Sequence, residues 1–160
     1  MSHAIFRSHL PPVPFATLAT HPCKMFPVYR PCSLSQSDRQ LLTMTDNTSF
    51  CIWGPTDNPG EQQWIFERRG SDKVVLRNLK FNKYAGVDGT LEPSAPVAPT
   101  IQPIELTMEL LDDDQYRLWV ETTNGKLFLD SYSDIGATLP PRLAWVSENM
   151  ASKPWKLNPI

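Results

Sequence analysis

The side chains of this 160-residue chain that could do acid–base or nucleophilic chemistry are few and poorly placed for it. All three histidines, His3, His9 and His21, fall within the first 21 positions. A Ser-His-Asp or Cys-His arrangement would have to draw its base from a segment broken by Pro11, Pro12 and Pro14. Asp112-Asp113-Asp114 has the composition of a metal site, but three consecutive residues on a turn face different ways and read as solvated. The cysteines, Cys23, Cys32 and Cys51, lack CxxC spacing, and Cys51 sits in the apolar run Phe50-Cys51-Ile52-Trp53, where a thiol packs as a small hydrophobe. The expectation is a protein with no catalytic residues, no metal and no cofactor. An odd set of cysteines fits a reducing compartment, so the expected location is cytoplasmic. The sequon Asn47-Thr48-Ser49 would matter only in a secreted chain.

The elements that position these residues follow from the pattern of the chain. Sixteen prolines disfavour long helices. A formal net charge of −2 offers no general attraction to nucleic acid or an anionic membrane, and no apolar run reaches 18 residues. One domain is expected, as a monomer. Residues 1–25 carry four prolines and no acidic residue, the first acid being Asp38. They read as a loosely ordered arm, with residues 26–160 as the folded domain.

Short strands fill that domain. Trp64 and Phe66 stand two apart, as the inward face of a pleated strand requires. The spacing returns as Leu106 and Met108, then as Trp155 and Leu157. Between these closing strands the sequence predicts extended segments at 26–29, 41–44, 50–53, 74–77, 83–87, 97–101, 115–120, 126–129 and 142–146. Ser33 to Arg39 is expected to be a polar loop, and Asn124-Gly125 a hairpin turn. Twelve strands in three groups of four, without a convincing helix, predict an all-β chain of the β-trefoil type, with pseudo-threefold symmetry. In that arrangement Trp64 and Trp155 belong to the core, and Trp119 is expected there too.

Gln62-Gln63-Trp64 matches the QxW signature of ricin-B-like β-trefoils. Together with Val75-Leu76-Arg77-Asn78, Lys83-Tyr84-Ala85-Gly86 and Gln115-Tyr116-Arg117-Leu118-Trp119, it resembles the fungal β-trefoil serine protease inhibitors over about residues 26–160. The second and third closing strands depart from QxW, reading Ile104-Glu105-Leu106 and Lys153-Pro154-Trp155. The resemblance implies a non-enzymatic inhibitor that inserts a surface loop into the active site of a serine or cysteine endopeptidase. The alternative it implies is a ricin-B-like lectin with a glycan as partner.

By that resemblance the reactive loop would lie between the second and third strands, at Asp46, Asn47 and Thr48. It contains no Lys or Arg for a trypsin-type pocket, and Asn47 would suit an asparagine-selective enzyme. The loop between strands five and six offers Asn78, Lys80 and Asn82, and Arg39 is a third basic candidate. A rigid scaffold would preorganise any of these loops and so lower the ordering cost of binding.

Overall fold

The computed structural model describes residues 28–111, 114–132, 139–150 and 153–160. Thirteen strands form one sheet: β1 (Cys32–Ser37), β2 (Gln40–Thr45), β3 (Ser49–Trp53), β4 (Trp64–Arg68), β5 (Lys73–Asn78), β6 (Tyr84–Gly86), β7 (Ala95–Pro96), β8 (Ala98–Thr100), β9 (Leu106–Leu110), β10 (Gln115–Thr122), β11 (Gly125–Tyr132), β12 (Arg142–Ser147) and β13 (Trp155–Pro159). A single 3-10 turn, Pro59–Gln62, precedes β4. The chain is all-β among the described residues.

Six of these strands close a ring. β1 pairs with β4, β4 with β5, β5 with β9, β9 with β10, β10 with β13, and β13 returns to β1. Closure leaves these strands with few open edges, which is how small all-β proteins avoid unwanted pairing. Three further antiparallel pairs, β2–β3, β6–β8 and β11–β12, stand off the ring. β12 also bridges to β3 and β7. The inward residues Leu34, Trp64, Phe66, Leu76, Leu106, Leu118 and Trp155 are almost fully buried in one core, each stabilising the fold by roughly 1.5–3 kcal/mol.

Three sequence expectations are corrected. Ser33 to Arg39 is not a loop: most of it is β1, with Cys32 and Leu34 facing the core. The serines obscured the alternation, but pairing on both sides satisfies their backbone, and buried Ser35 accepts a hydrogen bond from Asn158 Nδ2 at 3.0 Å. Of the segment 26–29, Val28 makes only an isolated parallel bridge to Phe66, and Tyr29 turns the chain with φ 61°. The hairpin after β10 is also offset by one residue. Thr122 pairs with Gly125, whose φ of 111° puts glycine just beyond the central pair Thr123-Asn124. The proposed arm lies in residues 1–27, outside the described residues, as do Asp112 and Asp113 of the acidic run.

Three buried indoles tie the off-ring pairs to the core. Trp64 Nε1 donates to the Leu42 carbonyl in β2 at 3.0 Å, and Trp155 Nε1 to the Leu129 carbonyl in β11 at 2.8 Å. Both tryptophans begin ring strands. The ring strand β9 begins with Leu106, which has no donor to offer. The Gly86 carbonyl in β6 is instead met by Trp145 Nε1, from β12, at 3.1 Å. Gly86 itself is required by close approach of β8, since a Cβ there would lie 2.1 Å from Thr100 Oγ1.

Candidate functional site

The three loops singled out from sequence have distinct geometries. Between β2 and β3, Asp46 and Asn47 both take left-handed backbone, φ 40° and 64°. Thr48 N and Oγ1 donate to the Asp46 carboxylate at 3.3 and 2.6 Å, and the Thr45 and Ser49 hydroxyls meet at 2.9 Å. Asn47 is half-buried, and its Oδ1 has no hydrogen-bond partner. The three residues form a tight turn rather than the extended segment that a protease cleft takes as substrate.

Asn78 is fully buried and organises the next loop. Its amide nitrogen donates to the Glu61 and Gln63 carbonyls at 3.1 and 3.4 Å, while its oxygen accepts from Lys80 N and Phe81 N at 3.0 and 3.1 Å. A side chain that completes four bonds in this way is a structural bracket. Lys80 Nζ pairs with Glu61 at 2.7 Å and lies over the Phe81 ring. Asn82, at φ 54°, accepts from Arg77 Nη1 at 2.9 Å. Thus Asn78, Lys80 and Asn82 come together with Glu61 in one well-bonded loop. Arg39 is elsewhere, exposed on the β1–β2 turn. Asp46, Asn47 and Thr48 cap the opposite end of the β2–β3 ladder, which runs from Leu41↔Trp53 to Thr45↔Ser49.

Gln62 of the QxW signature is also structural. It is buried, donates to Thr43 Oγ1 at 2.9 Å and to the Gly54 carbonyl at 2.8 Å, and accepts from Thr56 N at 3.2 Å. These bonds lay the loop 54–62 across the outer face of β2–β3. On that same face, at the strand end, stands the residue that sequence reasoning missed. Trp53 is 46% exposed and pairs with Leu41, next to Gln40 and three positions from Asp38 in the β1–β2 turn. Its apolar neighbours in the sequence made it look like an interior residue. Only the alternation of β3, with Phe50 and Ile52 facing the core, shows that it faces out. Exposed Asp57 and Asn58 follow in the loop beside it.

Trp119 departs from its expected core position. It lies half-buried on the outer face, paired with Phe128 and flanked by Lys126 Nζ, 4.1 Å from its ring, and Lys73 Nζ, 5.4 Å away. Cys51 is buried, as its apolar run suggested, and so is Cys32, while Cys23 lies outside the described residues. Burial pushes the Cys32 thiol up to about 12, and burial followed by the Asp46 charge raises that of Cys51. Neither thiol is a ready nucleophile. Among the described residues no three His, Cys, Asp or Glu side chains converge as a metal site would require.

No family model and no curated protein matches the chain. Solved structures do. The Macrolepiota procera ricin B-like lectin, solved in complex with lactose, is 21% identical over 84% of this chain and 99% of its own, with a TM-score of 0.64. The Rhizoctonia solani agglutinin is 16% identical over 86% of this chain and 100% of its own, with a TM-score of 0.67. ThreeFoil, a designed 3-fold symmetric protein, is 14% identical over 81% of this chain and 99% of its own, with a TM-score of 0.65. At these identities the likeness is one of fold: an all-β, barrel-like sheet.

Proposed function

We propose that this protein binds carbohydrate on the outer face of its β2–β3 hairpin, with Trp53 as the stacking platform. The observation that carries the reading is the half-exposed Trp53 indole, held on a rigid strand end beside a bracketed loop. An aromatic face carries negative charge density, which suits the polarised C–H groups of a sugar ring. Exposed Asp57 and Asn58, in the loop that follows Trp53, offer a carboxylate acceptor and an amide donor for the hydroxyls. The lactose complex of the Macrolepiota lectin makes β-galactosides the first sugars to test. A glycan array probed with the full chain should give a hit that Trp53→Ala removes. An array without hits, or a hit indifferent to Trp53, sinks the reading.

The finer architecture belongs to the same proposal. The ring of six strands, the three off-ring pairs and the three indole-to-carbonyl bonds support three units of four strands each, with β7 as an addition to the second. They favour a β-trefoil with pseudo-threefold symmetry.

Insertion of a loop into an endopeptidase is the second reading. Arg39 favours it, as an exposed guanidinium on a turn with no ion pair among the described residues. Stoichiometric inhibition of trypsin, abolished by Arg39→Ala, would promote that reading over the first. A panel of trypsin, chymotrypsin, papain and legumain-type enzymes left uninhibited would remove it, along with the roles of Asp46, Asn47, Thr48, Asn78, Lys80 and Asn82 in protease binding.

A further inference from the structure

The ring of strands has a mouth that the side chains of the described residues leave unfilled. Along β4 the inward series Trp64, Phe66 continues to Arg68. Along β9 the series Leu106, Met108 continues to Leu110, and on β10 Tyr116 precedes Leu118 on the inner face. In the core these series end in apolar contact. At the mouth they surround a cleft of about 160 Å³, walled by Val74, Met108, Leu110 and Tyr116 and rimmed by Arg68 and Asp72. Leu110 stays 54% exposed, although it falls on the same face of β9 as the fully buried Leu106. A cavity of about 150 Å³ with aliphatic walls is large enough to take a benzene ring.

The rim carries one charge of each sign. Arg68 makes no ion pair among the described residues: the nearby Glu67 carboxylate faces the other side of β4, where Arg69 and Arg77 hold it. Among the described residues the Asp72 side chain, in the β4–β5 turn, accepts only from its neighbour Ser71, at 3.2 Å on Oδ1, which leaves Oδ2 open to a cation. An apolar pit the size of one ring, bordered by an unpaired guanidinium and a carboxylate, complements a compact ligand with an apolar body and two opposed charges.

We propose that the barrel mouth is a binding site for a free α-amino acid with an aromatic or branched apolar side chain. The side chain enters the pit between Met108, Leu110 and Tyr116. The ligand carboxylate pairs with Arg68, and its ammonium group with Asp72. A charge-assisted pair is directional as well as strong, so both charges are needed for full affinity. The site shares no lining residue with β1, β2 or β3 and does not rest on carbohydrate binding.

Calorimetric titration of the full chain with L-phenylalanine, N-acetyl-L-phenylalanine and L-phenylalanine amide tests this directly. The parent amino acid should saturate one site with a Kd of about a millimolar or tighter, as its dozen heavy atoms allow. Each blocked analogue should bind at least about tenfold more weakly, having lost one charged partner. Arg68→Ala should reduce L-phenylalanine to the level of its amide, and Asp72→Asn to the level of the N-acetyl form. Both residues are exposed, and unchanged melting curves would verify that the variants fold. Trp53→Ala should leave this binding intact. The proposal is overturned if L-phenylalanine shows no saturable binding up to about 10 mM. It is equally overturned if the three ligands bind alike, or if both rim variants bind as the parent does.

Discussion

Exchanging Leu106 and Trp145 tests whether the indole of Trp145 occupies the place that a tryptophan at the start of β9 would fill. Trp145 is fully buried, and its Nε1 donates to the Gly86 carbonyl at 3.1 Å. Trp145→Leu removes most of an indole from the core and orphans that carbonyl. The cavity and the unpaired acceptor together should cost about 3–5 kcal/mol. Leu106→Trp alone forces a second indole toward an occupied site, and overpacking should cost about 1–3 kcal/mol. Independent effects would make the double variant as costly as the two together, about 4–8 kcal/mol. The geometry says otherwise, because Trp64 and Trp155 reach the equivalent carbonyls from the first residues of β4 and β13. In the exchanged protein the indole introduced at position 106 should therefore recover the bond to Gly86, in the space vacated at position 145. The exchange should be more stable than Trp145→Leu by at least about 1 kcal/mol, a difference that urea denaturation at constant m-value resolves. A double variant whose cost equals the sum of the two single costs within about 0.5 kcal/mol would refute the reasoning.

Asn78→Ala should destabilise by about 2–4 kcal/mol, since it breaks four buried hydrogen bonds, and hydrogen exchange should quicken at Lys80 and Phe81, whose amides it accepts. Gly86→Ala, with a Cβ 2.1 Å from Thr100 Oγ1, should cost about 2 kcal/mol or more in thermal denaturation. By contrast, Trp53→Ala should change stability by no more than about 0.5 kcal/mol while eliminating glycan binding, which separates surface function from packing. The Cys32 thiol has its pKa raised from 9.0 to about 12 by burial. The unfolded chain therefore releases this proton first as pH rises, and the stability present below pH 9 should fall progressively toward pH 12. Urea midpoints that do not move over that range would contradict the burial of the thiol. Native-state alkylation should likewise spare Cys32 and Cys51 and modify both in urea.

Strands with large residues at a spacing of two were legible in the sequence: Trp64 and Phe66 fall in β4, Leu106 and Met108 in β9, and Trp155 and Leu157 in β13, where that pattern put them. β1 was not, because Ser33, Ser35 and Ser37 carry no hydrophobic signal and the strand exists through its partners β2 and β13. The loop residues were found, but their availability was not. Asn78 looks like any surface asparagine until its four bonds are seen, and Gln62 looks like a ligand-binding amide until Thr43 and Gly54 are found to occupy it. Trp53 was overlooked for the converse reason, since membership of an apolar run says nothing about which face of a strand a residue takes. The barrel-mouth cleft draws on β4, β5, β9 and β10, and only tertiary structure assembles residues from 68 to 116 into one site.

The closure of the ring by β1 and β13 also governs how the protein can be made. Cys32 pairs with Pro159 and Leu34 with Leu157, so the first and last strands of the barrel are side by side. A chain leaving the ribosome from its N-terminal end exposes β1 long before its partner is synthesised. Until residues 155–159 emerge, the backbone groups of β1 that face β13 are an unpaired edge, open to any other nascent strand. Translation speed and chaperone access over that interval therefore bear on the yield of soluble protein. A circular permutant that joins the neighbourhoods of β13 and β1, and opens instead at the exposed Thr123-Asn124 turn, would turn the last pairing to form into a local hairpin.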